Sequence, residues 1–173
     1  LKSDGVKVLR TLKNLEAEVS EKIGFVELYS GLAGGRQALN LIGVQPGVHV
    51  LVDTNNQTGR AASMAWPKSI RWGDILLVDK EKVRSLLAVA LKVELWLVGG
   101  GFPCLEFTAL KAEREGHTKD WLVLEIARVA GLFKKVFPAT EVKRFMENVT
   151  SMPDTEVSWI CDSACSPSID LDR

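Results

Sequence analysis

Phe25-Val26-Glu27-Leu28-Tyr29, followed at once by Ser30-Gly31-Leu32-Ala33-Gly34-Gly35, decides the fold of this chain. The first five residues read as a short strand, and the glycines that follow allow a tight turn. Arg36 to Ile42 then has helical character and is closed by Gly43. Strand, glycine-rich turn, helix is a layout that offers backbone N–H groups to a polar ligand. It matches neither the G-x-G-x-x-G fingerprint nor a phosphate-binding loop, since no Gly-Lys-Ser/Thr is present. A plain tight turn is the other reading.

Downstream the alternation continues. Val48 to Val52 is the next strand and ends on Asp53, which follows Gly31 at close to the roughly 20 residues expected of an acid that hydrogen-bonds ribose hydroxyls. By itself an Asp at a strand end is most often a helix cap. After a glycine turn at this spacing, the ligand role is the better reading. Gln57 to Trp66 is a helix stopped by Pro67, and Arg71-Trp72-Gly73-Asp74-Ile75 is a short strand with Asp74 at its end. Lys80 to Leu91 forms a further helix, and the apolar run Val93 to Val98 forms a buried strand. Trp121 to Phe133 returns to helix and Val142 to Met146 to strand, with Glu147-Asn148-Val149 at its carboxyl end. This β-α-β-α pattern predicts a Rossmann-like, doubly wound α/β fold, with a mostly parallel sheet and helices on both faces.

Upstream, Val8, Leu12, Leu15, Val19 and Ile23 recur at helical spacing, which predicts an amphipathic helix over 4–23. Residues 109 to 119 are polar and charged and are expected to form a loop, either a solvated connector or a lid over substrate. Val157 to Cys161 is one more strand candidate ahead of a Ser/Pro-rich tail. The expected organisation is one domain over 1–173, with the N-terminal helix in 1–24, a core in 25–150 and a divergent C-terminal part in 151–173. The chain begins without Met and stops on Leu171-Asp172-Arg173, so it is expected to be a piece of something longer.

Composition narrows the function classes. Lysine plus arginine and aspartate plus glutamate are 22 each, so no overall charge draws the chain to nucleic acid or membrane, although local patches can still hold phosphate. No apolar run reaches the roughly 20 residues of a membrane span. The first residues lack an h-region and cleavage site, and the three cysteines are an odd number outside metal-site spacing. Reduced thiols in the nucleus or cytoplasm, and no metal, are the expectation.

One stretch carries nucleophile chemistry. Val98-Gly99-Gly100-Gly101-Phe102-Pro103-Cys104 starts at the end of a buried strand, and its glycines would let a ligand approach the backbone. Pro103 stiffens the loop that presents Cys104. A glycine turn followed by an ordinary buried thiol is the competing reading. A cysteine hydrolase would need His49 or His117 as base, and neither has an evident orienting acid in the sequence.

The order of these motifs resembles the catalytic part of the DNA (cytosine-5) methyltransferases. Glu27-Leu28-Tyr29-Ser30-Gly31-Leu32-Ala33-Gly34-Gly35 is similar to their cofactor motif, and Gly73-Asp74-Ile75 to the motif that contacts adenine. Gly101-Phe102-Pro103-Cys104 resembles the nucleophile motif, Leu122 a cofactor-packing leucine, and Met146-Glu147-Asn148-Val149 the motif of the catalytic acid. The likeness covers residues 25 to about 150. It implies the S-adenosylmethionine-dependent methyltransferase fold, S-adenosylmethionine as cofactor, and a cytosine flipped out of duplex DNA as substrate. Cys104 and Glu147 are then the catalytic pair: the thiolate adds to C6 while the acid protonates N3. Tyr29, Ser30, Gly31, Gly34, Asp53, Asp74, Ile75, Gly101 and Leu122 would hold the cofactor. Pro103, Asn148 and Arg173 would position the base.

The chain departs from the family at two places. The Arg-x-Arg element that orients the cytosine falls on Asp170 and Asp172 counted from Pro167, or on Leu171 and Arg173 counted from Asp162. Thr54 stands where many members carry an aromatic residue over the adenine. No target-recognition domain follows, so a missing region or a partner subunit would supply DNA contacts. A truncated or divergent DNA methyltransferase is the expectation. An RNA (tRNA) cytosine-5 methyltransferase and a non-catalytic S-adenosylmethionine-binding regulatory module are the alternatives.

Overall fold

The computed structural model describes residues 20–101 and 122–147. Five strands alternate with helices: β1 (Ile23–Leu28), α1 (Gly34–Leu41), β2 (Val48–Val52), α2 (Asn56–Ala65) and β3 (Ile70–Trp72) come first. A 3-10 turn (Ile75–Leu77), α3 (Lys80–Arg84), β4 (Leu95–Gly101), α4 (Leu122–Val136) and β5 (Glu141–Glu147) follow. The sheet order is β3-β2-β1-β4-β5, and every pairing is parallel. The chain is therefore a Rossmann-like α/β fold. Strand order reverses between β1 and β4, the kind of switch point at which open parallel sheets leave a crevice at their carboxyl ends.

Alternate side chains of the central strands feed two layers, as the period of two requires. Val26, Leu28, Val50, Val52, Trp96 and Val98 face one way and pack with Ile126, Val129 and Phe133 of α4 and Val83 of α3. Ile23, Phe25 and Leu97 face the other way and pack on Leu39 of α1, while Leu51 meets Ala62 of α2. The helices thus cover both faces. Phe133 joins the larger layer to the sheet through an edge contact with Trp96, ring centroids 4.7 Å apart. Among the described residues, no helix is long and apolar enough to cross a membrane.

Several boundaries differ from the sequence expectation. Ile23 belongs to β1 rather than to the end of the first helix; residues 4–19 of that helix, the loop 109–119 and the strand candidate 157–161 lie outside the described residues. Tyr29 is a turn residue, not the last of a strand. The 80–91 helix ends at Arg84, because Ser85 Oγ donates to the Lys82 carbonyl and the backbone tightens into successive three-residue turns through Val89. α4 runs on past Phe133 to Val136.

The glycines of β4 are the most informative correction. Gly99, Gly100 and Gly101 are not a turn beyond the strand; they form its last three residues. A methyl group at Gly99 would run into the main-chain carbonyl of Phe145 in β5, and one at Gly100 into that of Leu28 in β1. These two positions exclude a side chain because neighbouring strands come too close, not because a ligand does.

Candidate cofactor cleft and catalytic rim

A cleft of about 340 Å3 opens at the carboxyl ends of the first four strands. Tyr29 enters it from the turn after β1, Asp53 and Thr54 from the end of β2, Asp74 and Ile75 from the turn after β3, and Gly101 from the end of β4. Its volume falls within the range of roughly 300–1,000 Å3 typical of small-molecule sites.

The turn after β1 is built from backbone conformations that side chains seldom adopt. Tyr29 (φ 54°), Gly31 (φ 49°) and Ala33 (φ 63°) alternate in the left-handed region, which costs little at Gly31 and is strained at the other two. Two anchors hold it: the Ser30 amide donates to the Val52 carbonyl at 3.1 Å, and the Ala33 amide to the Ser30 carbonyl at 2.7 Å. A third bond ties the turn to the acid of β2, because the Gly31 amide donates to Asp53 Oδ2 at 2.8 Å. Asp53 Oδ1 accepts from the Asn55 amide at 2.7 Å. Each carboxylate oxygen keeps a second lone pair, so Asp53 can hold this geometry and still accept two hydroxyl donors. Asp74 caps the following 3-10 turn by accepting from the Leu76 amide at 2.9 Å. The Ser30 hydroxyl is buried with no hydrogen-bond partner among the described residues.

Gly34 opens α1, and Glu27 of β1 supports it from below. The buried Glu27 carboxylate accepts the Gly35 amide at 2.7 Å and the Arg36 amide at 3.1 Å, which satisfies two orphan donors at a positive helix end. That cap explains why α1 starts two residues before the sequence pattern suggests. Arg36 is buried beside it with its guanidinium 4.4 Å from the Trp66 ring centroid. Burial lowers the Arg36 pKa from the usual arginine value, and the nearby Glu27 charge opposes that shift.

His49 faces the same carboxylate. Its Nε2 lies 3.4 Å from Glu27 Oε2, within ion-pair range but not aligned as a hydrogen bond. Nδ1 is 2.7 Å from Ser69 Oγ, and the ring stacks on Phe25 at 5.3 Å between centroids. An orienting acid for His49 does exist, contrary to the sequence reading, but the imidazole is buried in the helix–sheet layer and does not line the cleft. His117 lies outside the described residues.

Gly101 pairs with Glu147 across the β4–β5 ladder. Glu147 is exposed at the carboxyl end of β5, so the acid stands beside the residue that lines the cleft. Leu122 is the first residue of α4. Cys104, Pro103, Asn148 and Arg173 lie outside the described residues.

No protein-family model matches the chain, and no curated protein does. Among solved structures, the crystal structure of the S. pombe Dnmt2 methyltransferase aligns with 81% of this chain at 19% identity and a TM-score of 0.49. The chain spans 38% of the length of that structure. The fold described above rests on the strand order and register themselves.

The sequence reading missed the groups beneath the cleft. Glu27 was part of a quoted motif without a role, yet a carboxylate at the end of a strand that feeds a glycine turn is a foreseeable cap for the next helix. Glu125 and Arg128 went unnoticed although their spacing places them on one helical face.

Proposed function

We propose that this chain transfers a methyl group from S-adenosylmethionine to C5 of cytosine in DNA, through a covalent bond between Cys104 and C6. One observation carries the reading. Tyr29, Asp53, Asp74, Ile75 and Gly101, singled out from separate stretches of sequence, line a single cleft, and Glu147 stands against its Gly101 edge.

The cleft suits the cofactor. Asp53, already fixed by two amides, has lone pairs left for ribose hydroxyls, and Asp74 and Ile75 offer a polar edge and an apolar surface to the adenine. Tyr29, at the start of the left-handed turn, lines the cleft on the side left for the polar amino-acid end. When bound, the cofactor supplies a methyl group on a sulfonium, a good leaving group.

The chain's own residues would activate the base. The Cys104 thiolate forms a bond to C6, and Glu147 delivers a proton to N3, so that the electron pair displaced from the C5–C6 double bond accumulates at C5. After C5 has gained the methyl group, loss of its proton to a base re-forms the C5–C6 double bond and breaks the C6–S bond, while the N3 proton passes back to Glu147, so that the thiolate and the acid are both restored. The sulfur must be a thiolate at the first step and is again one at the last.

The reading is tested by incubating the chain with methyl-labelled S-adenosylmethionine and either duplex DNA or tRNA, then digesting to nucleosides. Label in 5-methylcytosine from DNA is expected. Label from tRNA alone would favour the RNA alternative. Measured cofactor binding with no label from either would contradict catalysis and leave a binding module, the reading that the missing arginine element favours.

A further inference from the structure

The wall of the cleft formed by Asp74, Ile75 and Leu76 has little sheet to hold it. β3 is three residues long, stands at the end of the sheet, and stops at Trp72. What fixes the wall comes from elsewhere. Arg128, on α4, donates from Nη2 to the Ile75 carbonyl at 2.7 Å and from Nη1 to the Val78 carbonyl at 2.6 Å. Its guanidinium thus grips the main chain at both ends of the 3-10 turn that carries the wall. Glu125 orients the fork from one helical turn earlier, accepting from Arg128 Nε at 2.7 Å, with Nη2 at 2.6 Å from the same oxygen. Both side chains are largely covered, at 19% and 14% exposure, so the pair is shielded from the solvent that weakens surface ion pairs.

We infer that Arg128, oriented by Glu125, is a positioning residue for cofactor binding: it sets the adenine-side wall of the cleft relative to α4. The inference rests on the cofactor reading given above. Neither residue touches the cleft, so the effect passes through the backbone of residues 75 to 78. A planar guanidinium can serve two carbonyls and a carboxylate at once; an ammonium on a flexible stem cannot keep that fork.

The test is calorimetric titration of S-adenosylhomocysteine into wild type, R128K, E125Q and V44A, each at a temperature where circular dichroism shows it folded. V44A thins the core layer on the opposite face of the sheet and serves as the control for lost stability alone. R128K should weaken binding about tenfold and E125Q about threefold, with V44A unchanged and kcat of R128K at saturating cofactor within about twofold of wild type. Wild-type binding with unaltered affinity in R128K and E125Q would overturn the inference and leave the cofactor reading standing. So would equal weakening in V44A. If R128K does not fold, E125Q alone decides. Absence of binding by wild type would overturn both.

Discussion

Gly101 of β4 lies opposite Glu147 of β5, and a methyl group at position 101 would sit 2.5 Å from Glu147 Oε2. The next nearest atoms, Glu147 Cδ and the Glu147 carbonyl oxygen, would lie 3.7 Å away. Gly101→Ala should therefore displace the carboxyl first, since the added methyl group points at it. The expected result is a fall in kcat of about tenfold or more, larger than the accompanying loss of S-adenosylhomocysteine affinity. Equal loss in both measurements would contradict the role assigned to this contact.

Asp53 ties the glycine turn to β2 with one oxygen and caps the Asn55 amide with the other. Asp53→Asn would turn an amino group towards one of those two donors and remove the charge. Cofactor affinity should drop about tenfold, and unfolding in urea should show a loss of about 1–2 kcal/mol. Unchanged affinity would argue against the ribose assignment.

Gly99 carries the opposite expectation. Its missing side chain makes room for the β5 main chain at Phe145. Gly99→Ala should cost about 3 kcal/mol or more, since a backbone cannot move aside as a side chain can. Denaturant unfolding reads this directly. A variant as stable as wild type would show that the β4–β5 spacing is looser than described.

Glu27 is the buried partner of two helix amides, and its charge favours the neighbouring Arg36. Glu27→Gln keeps the shape but turns an amino group towards an amide donor and leaves the guanidinium without its compensating charge. A loss of about 2–4 kcal/mol is expected from urea unfolding. A loss below about 1 kcal/mol would mean that the cap contributes little.

Much of this architecture was legible because its signals are local. Apolar runs bounded by glycine and acids marked β1, β2 and β4, and shorter mixed stretches marked β3 and β5. The spacing of Asp53 from Gly31 pointed to a ligand role, and the direct bond between the two was not foreseen. What escaped depends on neighbours that sequence order does not name. Gly99 and Gly100 looked like room for a ligand, because nothing in the string shows that β1 and β5 flank β4 so closely. His49 looked isolated because Glu27 reaches it across a strand pair, and Arg128 went unnoticed because its carbonyl partners lie some fifty residues earlier. Helix ends shifted for the same reason: Glu27 starts α1 early, and Ser85 ends α3 early.

Trapping on duplex DNA containing 5-fluorocytosine, with S-adenosylmethionine present, asks whether Cys104 attacks C6 of a cytosine held beside Glu147. Fluorine at C5 cannot leave as a proton does, so the C6–S bond should persist as an adduct that survives denaturation and disappears in Cys104→Ser. Measured cofactor binding with no such adduct on DNA, or an adduct that remains in Cys104→Ser, would contradict the account.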